Sequence, residues 1–182
     1  MRAAAVSLAV LVMLTGVACG PKSSPEKPAA TMTFPAVACS TLTEAEVAQY
    51  VKNLPAFKSA LKAGEWKPAA QEQGGSPVDA LTALVEGMNV PGVGESLKAV
   101  GSDWGTFRAT LYKVFVASAA LNLEAVGLDQ TVQMKRDTTE SGRKVFANFQ
   151  ALKVACEAIP PANLELVKTH QQDLQALGVL GQ

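Results

Sequence analysis

Apolar residues recur at alternating steps of three and four along most of this chain, the spacing that places them on one face of an α-helix. The clearest run is Trp104, Phe107, Leu111, Val114, Ser118, Leu121 and Ala125. No charged residue occurs from Val114 to Leu123, so this helix is expected at the centre of a bundle with others around it. A second stripe, Val145, Phe149, Leu152, Cys156 and Ile159, predicts a helix within 129–157 that starts polar, becomes apolar and stops at Pro160-Pro161. A last helix carries Leu164, Val167, His170, Leu174 and Leu177 on one side before Gly178. No stretch alternates with the period of two that marks a half-buried strand, and no internal repeat is visible. The predicted fold class is all-α, a bundle of five or six helices.

The boundaries of these helices can be read from capping chemistry. In Leu42-Thr43-Glu44-Ala45-Glu46-Val47, Thr43 and Glu46 are spaced for a capping box, with Leu42 and Val47 at the two positions of a hydrophobic staple. Pro55 is expected to break or kink that helix and to begin a second piece through Phe57 and Leu61 to Gly64. Residues 65–75, with Pro68 and Gly74-Gly75, read as a loop whose one large apolar residue is Trp66. Ser76-Pro77-Val78-Asp79 starts another helix, with a capping serine, a proline at the first position and an acid in the first turn, ending near Met88. Residues 89–101 read as a turn-rich connector around a short amphipathic piece, Glu95 to Val100. Ser102 is the expected cap of the central helix and Gly127 its terminator.

The N-terminus has a different character. Met1 and Arg2 precede an apolar stretch from Ala3 to Leu14 interrupted only by Ser7. This is the order of an export signal, and it is shorter than the ~20 apolar residues of a lasting transmembrane helix. Gly16-Val17-Ala18-Cys19-Gly20 then resembles the lipobox of bacterial lipoproteins, with Gly16 standing where that motif usually has an aliphatic residue. The resemblance covers the targeting segment alone. It implies that residues 1–18 are a signal peptide, that Cys19 is lipidated, and that the mature protein is held on a membrane by its N-terminal lipid. Gly20, rather than the Asp that retains such proteins at the inner membrane, implies the outer membrane of a cell with two, facing the periplasm or the cell surface. Residues 19–36, with Pro21, Pro25, Pro28 and Pro35, read as a tether. The single helical domain is expected over 37–182. With Cys19 given to the lipid, Cys39 and Cys156 remain, and in an oxidising compartment their expected state is a disulfide that closes the bundle. A loop of that length would contribute roughly 4–5 kcal/mol through chain entropy.

Charge and candidate chemistry narrow the function. Lys plus Arg and Asp plus Glu are both 16, so electrostatic attraction to nucleic acid has no support. His170 is the one histidine, with Asp173 three residues on, and no second histidine completes a usual metal or catalytic set. Gly92-Val93-Gly94-Glu95-Ser96 fails as a phosphate loop, since Leu97 stands at the third glycine position and no strand precedes it. The densest charge cluster is Lys135-Arg136-Asp137, Glu140 and Arg143-Lys144. On one helix Arg136–Glu140 and Glu140–Lys144 would pair at i,i+4; the alternative is a surface for anionic lipid, lipopolysaccharide or an acidic partner. Trp66 is a candidate contact residue, whereas Trp104 is expected in the core. Without a catalytic constellation, cofactor or metal in view, the expected function is a lipid-anchored structural or partner-binding module with an envelope protein as partner. A carrier with an apolar pocket around Trp66, Trp104 and Phe107 is the alternative, and an enzyme is third.

Overall fold

The central apolar stripe folds as one helix of 21 residues, Trp104–Glu124, buried on every side from Thr110 to Ser118. The computed structural model describes residues 32–67 and 76–176. The leader, Cys19, the tether up to residue 31, the loop residues 68–75, and Leu177 and Gly178 lie outside the described residues. The described chain is all-helical, in the order α1 Glu44–Ala63, α2 Pro77–Gly87, α3 Val93–Ala99, α4 Trp104–Glu124, α5 Leu128–Arg136, α6 Glu140–Cys156, α7 Pro161–Thr169 and α8 Gln171–Ala176. Helices α1, α2, α3, α6 and α7 all pack against α4, while α5 packs on α6.

The predicted caps explain the first two helices. Glu46 N–H donates to the Thr43 hydroxyl at 3.2 Å and Thr43 N–H donates to the Glu46 carboxylate at 2.8 Å, while Leu42 and Val47 are both buried. Ser76 caps Asp79 N–H at 3.1 Å, with Pro77 in the first turn. Between α1 and α4 the core is aromatic: Phe57 lies 4.6 Å from Phe107 and 6.1 Å from Trp104 between ring centroids, and Tyr50 stacks on Phe107 at 5.0 Å. Glu86 fastens α2 to α4, accepting from Arg108 Nη1 at 2.9 and 3.1 Å and from the Tyr112 hydroxyl at 3.1 Å.

Several expectations are corrected. Pro55 sits inside α1 without ending it. Tyr50, Asn53 and Leu54 before the proline and Phe57 and Ala60 beyond it are buried in one core, and that shared packing outweighs the ~3 kcal/mol a helix-interior proline costs. Asp103, not Ser102, caps α4, accepting from Thr106 N–H at 3.0 Å. The connector piece is a true helix, α3. The helix expected over 129–157 is two, α5 and α6, because Asp137 takes Thr139 N–H at 3.0 Å and its hydroxyl at 2.6 Å, turning the chain before Thr139 caps Gly142 N–H. The last helix is likewise split at His170, between α7 and α8. These splits raise the helix count above the five or six expected.

Helix α1 ends at Gly64, as the sequence predicts. The φ of Gly64 is −80° and the residue at positive φ is Glu65, at 51°. Trp66 N–H bonds Leu61 C=O at 3.0 Å and Glu65 N–H bonds Lys62 C=O at 3.2 Å, the paired 6→1 and 5→2 bonds of a Schellman cap with glutamate in the glycine position. Gly64 is needed for space: a Cβ there would stand 2.7 Å from Val90 Cγ2. Glu65→Gly should therefore stabilise the fold by about 0.5–1 kcal/mol, as a left-handed non-glycine residue is relieved. Gly64→Ala should destabilise it by about 1–3 kcal/mol. Urea midpoints followed by helical circular dichroism check both signs.

Candidate functional site

Residues 32–43 run ahead of α1 and form a strap across the bundle. Phe34, Ala38 and Leu42 are buried in the core and Met32 packs against it, so packing begins inside the stretch 19–36 read as tether. Three successive i→i+3 bonds, Ala38 N–H to Pro35, Cys39 N–H to Ala36 and Ser40 N–H to Val37, coil the strap before it extends into Thr43. Over the next three residues two side chains from distant helices read its backbone. Asn163 of α7 donates from Nδ2 to Ser40 C=O at 2.9 Å and accepts Leu42 N–H at Oδ1 at 2.7 Å. Lys113 of α4 donates from Nζ to Thr41 C=O at 2.8 Å. The strap is thus held as a bound peptide would be, through main-chain groups that cannot pair within a helix.

Burial gives this clamp its weight. Asn163 is fully buried, and Lys113 keeps 8% of its side chain exposed. The ammonium of Lys113 is also 2.6 Å from Glu46 Oε1, so the carboxylate that closes the capping box neutralises the buried cation. Burial pushes the Glu46 carboxyl up, but Lys113 together with the N–H and hydroxyl of Thr43 outweighs it and holds Glu46 below the usual carboxylate range. One turn of α1 therefore serves cap, counter-ion and strap together.

His170 lies beside this clamp, between α7 and α8. Its Nε2 is 2.6 Å from Glu44 Oε1 in the first turn of α1, and its Nδ1 is 3.8 Å from Asp173. The sequence pairs His170 with Asp173; the structure makes Glu44 the closer partner. A tautomer with the proton on Nε2 donates to Glu44 and joins the C-terminal helices to the start of the fold.

The disulfide expected between Cys39 and Cys156 is not formed: both are free thiols, partly buried against the core. They are neighbours all the same. Burial raises Cys39, and burial, then the nearby Cys39, then Glu124, push Cys156 up to about 12. Neither thiol is therefore poised as a thiolate nucleophile at neutral pH.

The remaining candidates lie apart. Trp66 is half-buried in the cap of α1, its indole nitrogen facing Gly87. Trp104 and Phe107 are engaged in the aromatic core by Phe57 and Tyr50. Arg136 ends α5 and Arg143 lies in the first turns of α6, both exposed. The break at Asp137 removes the expected i,i+4 relation between Arg136 and Glu140. Among the described residues no group of three His, Cys, Asp or Glu side chains could hold a metal ion, and no helix is long and apolar enough to cross a membrane. Lys113 and Asn163 were not read as site residues. The lone lysine in the most apolar helix was the available signal, whereas Asn163 carries none. Comparison with family models, with curated proteins and with solved structures finds no match to this chain.

Removing either clamp residue strands buried main-chain groups. Asn163→Ala should cost about 2–4 kcal/mol, since Ser40 C=O and Leu42 N–H both lose their partner, and amide exchange at Leu42 should accelerate far more than in the α4 core. The folded Glu46 carboxyl lies below its unfolded value, so its contribution is present above the ordinary glutamate range and is lost as pH falls through the depressed value. Lys113→Met should flatten that acid limb, which unfolding free energies measured between neutral and acid pH would register.

Proposed function

We propose that this chain is a lipid-anchored protein of the cell envelope, exported by residues 1–18, acylated at Cys19, and acting as a structural or partner-binding helical module rather than as an enzyme. The observation that carries the reading is the pairing of a lipobox-like leader with the strap. A domain hung from its N-terminus needs its first residues fixed to the body, and here Asn163 and Lys113 grip three consecutive strap residues from helices far along the chain. The raised thiols also support a non-catalytic role, as a reactive cysteine needs a lowered pKa. The membrane is engaged through the lipid and an envelope protein is the expected partner, in the outer membrane of a two-membrane cell.

The two thiols belong to the same reading. In an oxidising envelope Cys39 and Cys156 give up two protons and two electrons to a disulfide-bearing oxidant, which leaves as a dithiol, and the new S–S bond locks the strap onto the end of α6.

Metabolic labelling with a fatty acid tests the anchor. Label should appear on the wild-type chain and vanish in Cys19→Ser, which should also leave the membrane fraction; persistent label on the variant overturns the lipobox reading. Thiol titration of denatured, unreduced protein taken from the envelope tests the bridge. It should find neither Cys39 nor Cys156, and two titratable thiols would show that the strap is held by hydrogen bonds and packing alone.

A further inference from the structure

We propose that the helical hairpin α5–α6 is a docking face for a lipid surface rich in anionic phosphate headgroups. The charge of the described chain is divided unevenly. The hairpin from Leu128 to Cys156 carries five basic residues, Lys135, Arg136, Arg143, Lys144 and Lys153, against three acids, Asp129, Asp137 and Glu140, whereas the rest of the described residues carries eight basic against eleven acidic. All five cations are exposed, and none is in an ion pair among the described residues. Asp137 is exposed but engaged locally: it accepts from Thr139 N–H and hydroxyl and lies over Gly142, where a Cβ would overlap its carboxyl. At the tip of the hairpin four cations face solvent beside two exposed acids, Asp137 and Glu140, of which Asp137 is already hydrogen-bonded to Thr139.

The hairpin also carries exposed apolar side chains. Three large hydrophobic residues are exposed among the described residues, and two of them, Val132 at 42% and Val154 at 61%, are on the hairpin. Helix α5 has no buried residue among its described side chains and packs on α6. It is an arm held to the bundle through its neighbour, and its outer face has nothing on it. Isolated valines among long basic side chains suit a headgroup boundary, where lysine and arginine stems lie along apolar surface, their charges meet phosphate and small apolar groups enter the interface. A protein-binding face of comparable charge would be expected to centre on exposed aromatic anchors; of the two aromatics of α6, Phe149 is buried in the core and Phe146 is half-buried, so neither is exposed. Charge complementarity therefore selects the lipid surface. Docking needs no acylation, so its failure and that of the Cys19 anchor are separable.

The test is co-sedimentation of the full-length chain with vesicles of phosphatidylcholine alone and of phosphatidylcholine containing a third phosphatidylglycerol. Partition should be at least tenfold higher on the anionic vesicles, and raised salt should remove the increment. Combined Lys135→Glu, Arg136→Glu, Arg143→Glu and Lys144→Glu should abolish the increment and leave partition to neutral vesicles unchanged. Reversing Lys52, Lys62, Lys98 and Lys168, exposed cations elsewhere, should preserve most of it. Val132→Ser with Val154→Ser, which leaves the charge intact, should lower anionic partition several-fold. Equal partition on both vesicle types overturns the proposal, as does an equal loss in the two charge-reversed chains. Loss of an acidic protein partner in the hairpin variant with vesicle binding unchanged would likewise overturn it, assigning the face to protein contact.

Discussion

A lysine ammonium buried in the most apolar helix of the bundle is the constraint around which the rest is arranged. Removing such a charge from water costs several kcal/mol unless it is paired and hydrogen-bonded. Lys113 meets that requirement with one carbonyl, Thr41, and one carboxylate, Glu46, both of which must be brought to it by the chain ahead of and within the first turn of α1. The strap has to extend past α4, the helix has to begin at Thr43, and Asn163 has to satisfy the main-chain groups this extension leaves open on either side. The capping box, the strap and the docking of α7 are thus consequences of one desolvation problem. An apolar residue at 113 would fit the helix equally well but would specify none of them.

How much of this was legible depended on whether the signal was local. Thr43, Glu46, Ser76 and Pro77 act within four residues of themselves, and the caps they predict are present. The central position of α4 was equally readable, since a run without charge has nowhere else to go. Pro55 misled because its local penalty is overridden by Tyr50, Asn53, Leu54 and Phe57, whose burial depends on helices not adjacent in sequence. Asp137 misled in the opposite way: its side chain competes for the backbone and breaks a helix whose apolar periodicity runs on regardless. The glutamate at positive φ, Glu65, and the space that Val90 claims beside Gly64 had no local signal. Lys113 and Asn163 were the least readable, as their partners lie 67 to 123 residues away.

The strap and the tip of the hairpin differ in character. At the strap the main-chain groups of residues 40–42 are paired internally and the cysteines are pushed toward the neutral thiol. On the hairpin, charges stay unpaired and two valines stay exposed. A binding activity is more readily placed on the second kind of surface than the first, because groups already satisfied internally gain little from a partner.

The clamp also sets an order of assembly. Strap residues 40–42 are made before α1, whereas Asn163, which holds two of their main-chain groups, follows more than a hundred residues later. Contacts that close so long a loop form late, after local helices have begun to pair. During synthesis, therefore, the chain's beginning stays unfastened until nearly all of its end has emerged, and fixing the strap is among the last steps in making the fold. A ribosome-bound chain that stops short of α7 carries its N-terminal segment free, and a finished one carries it fixed, so whatever must handle that segment in extended form has the interval between those two states in which to do so.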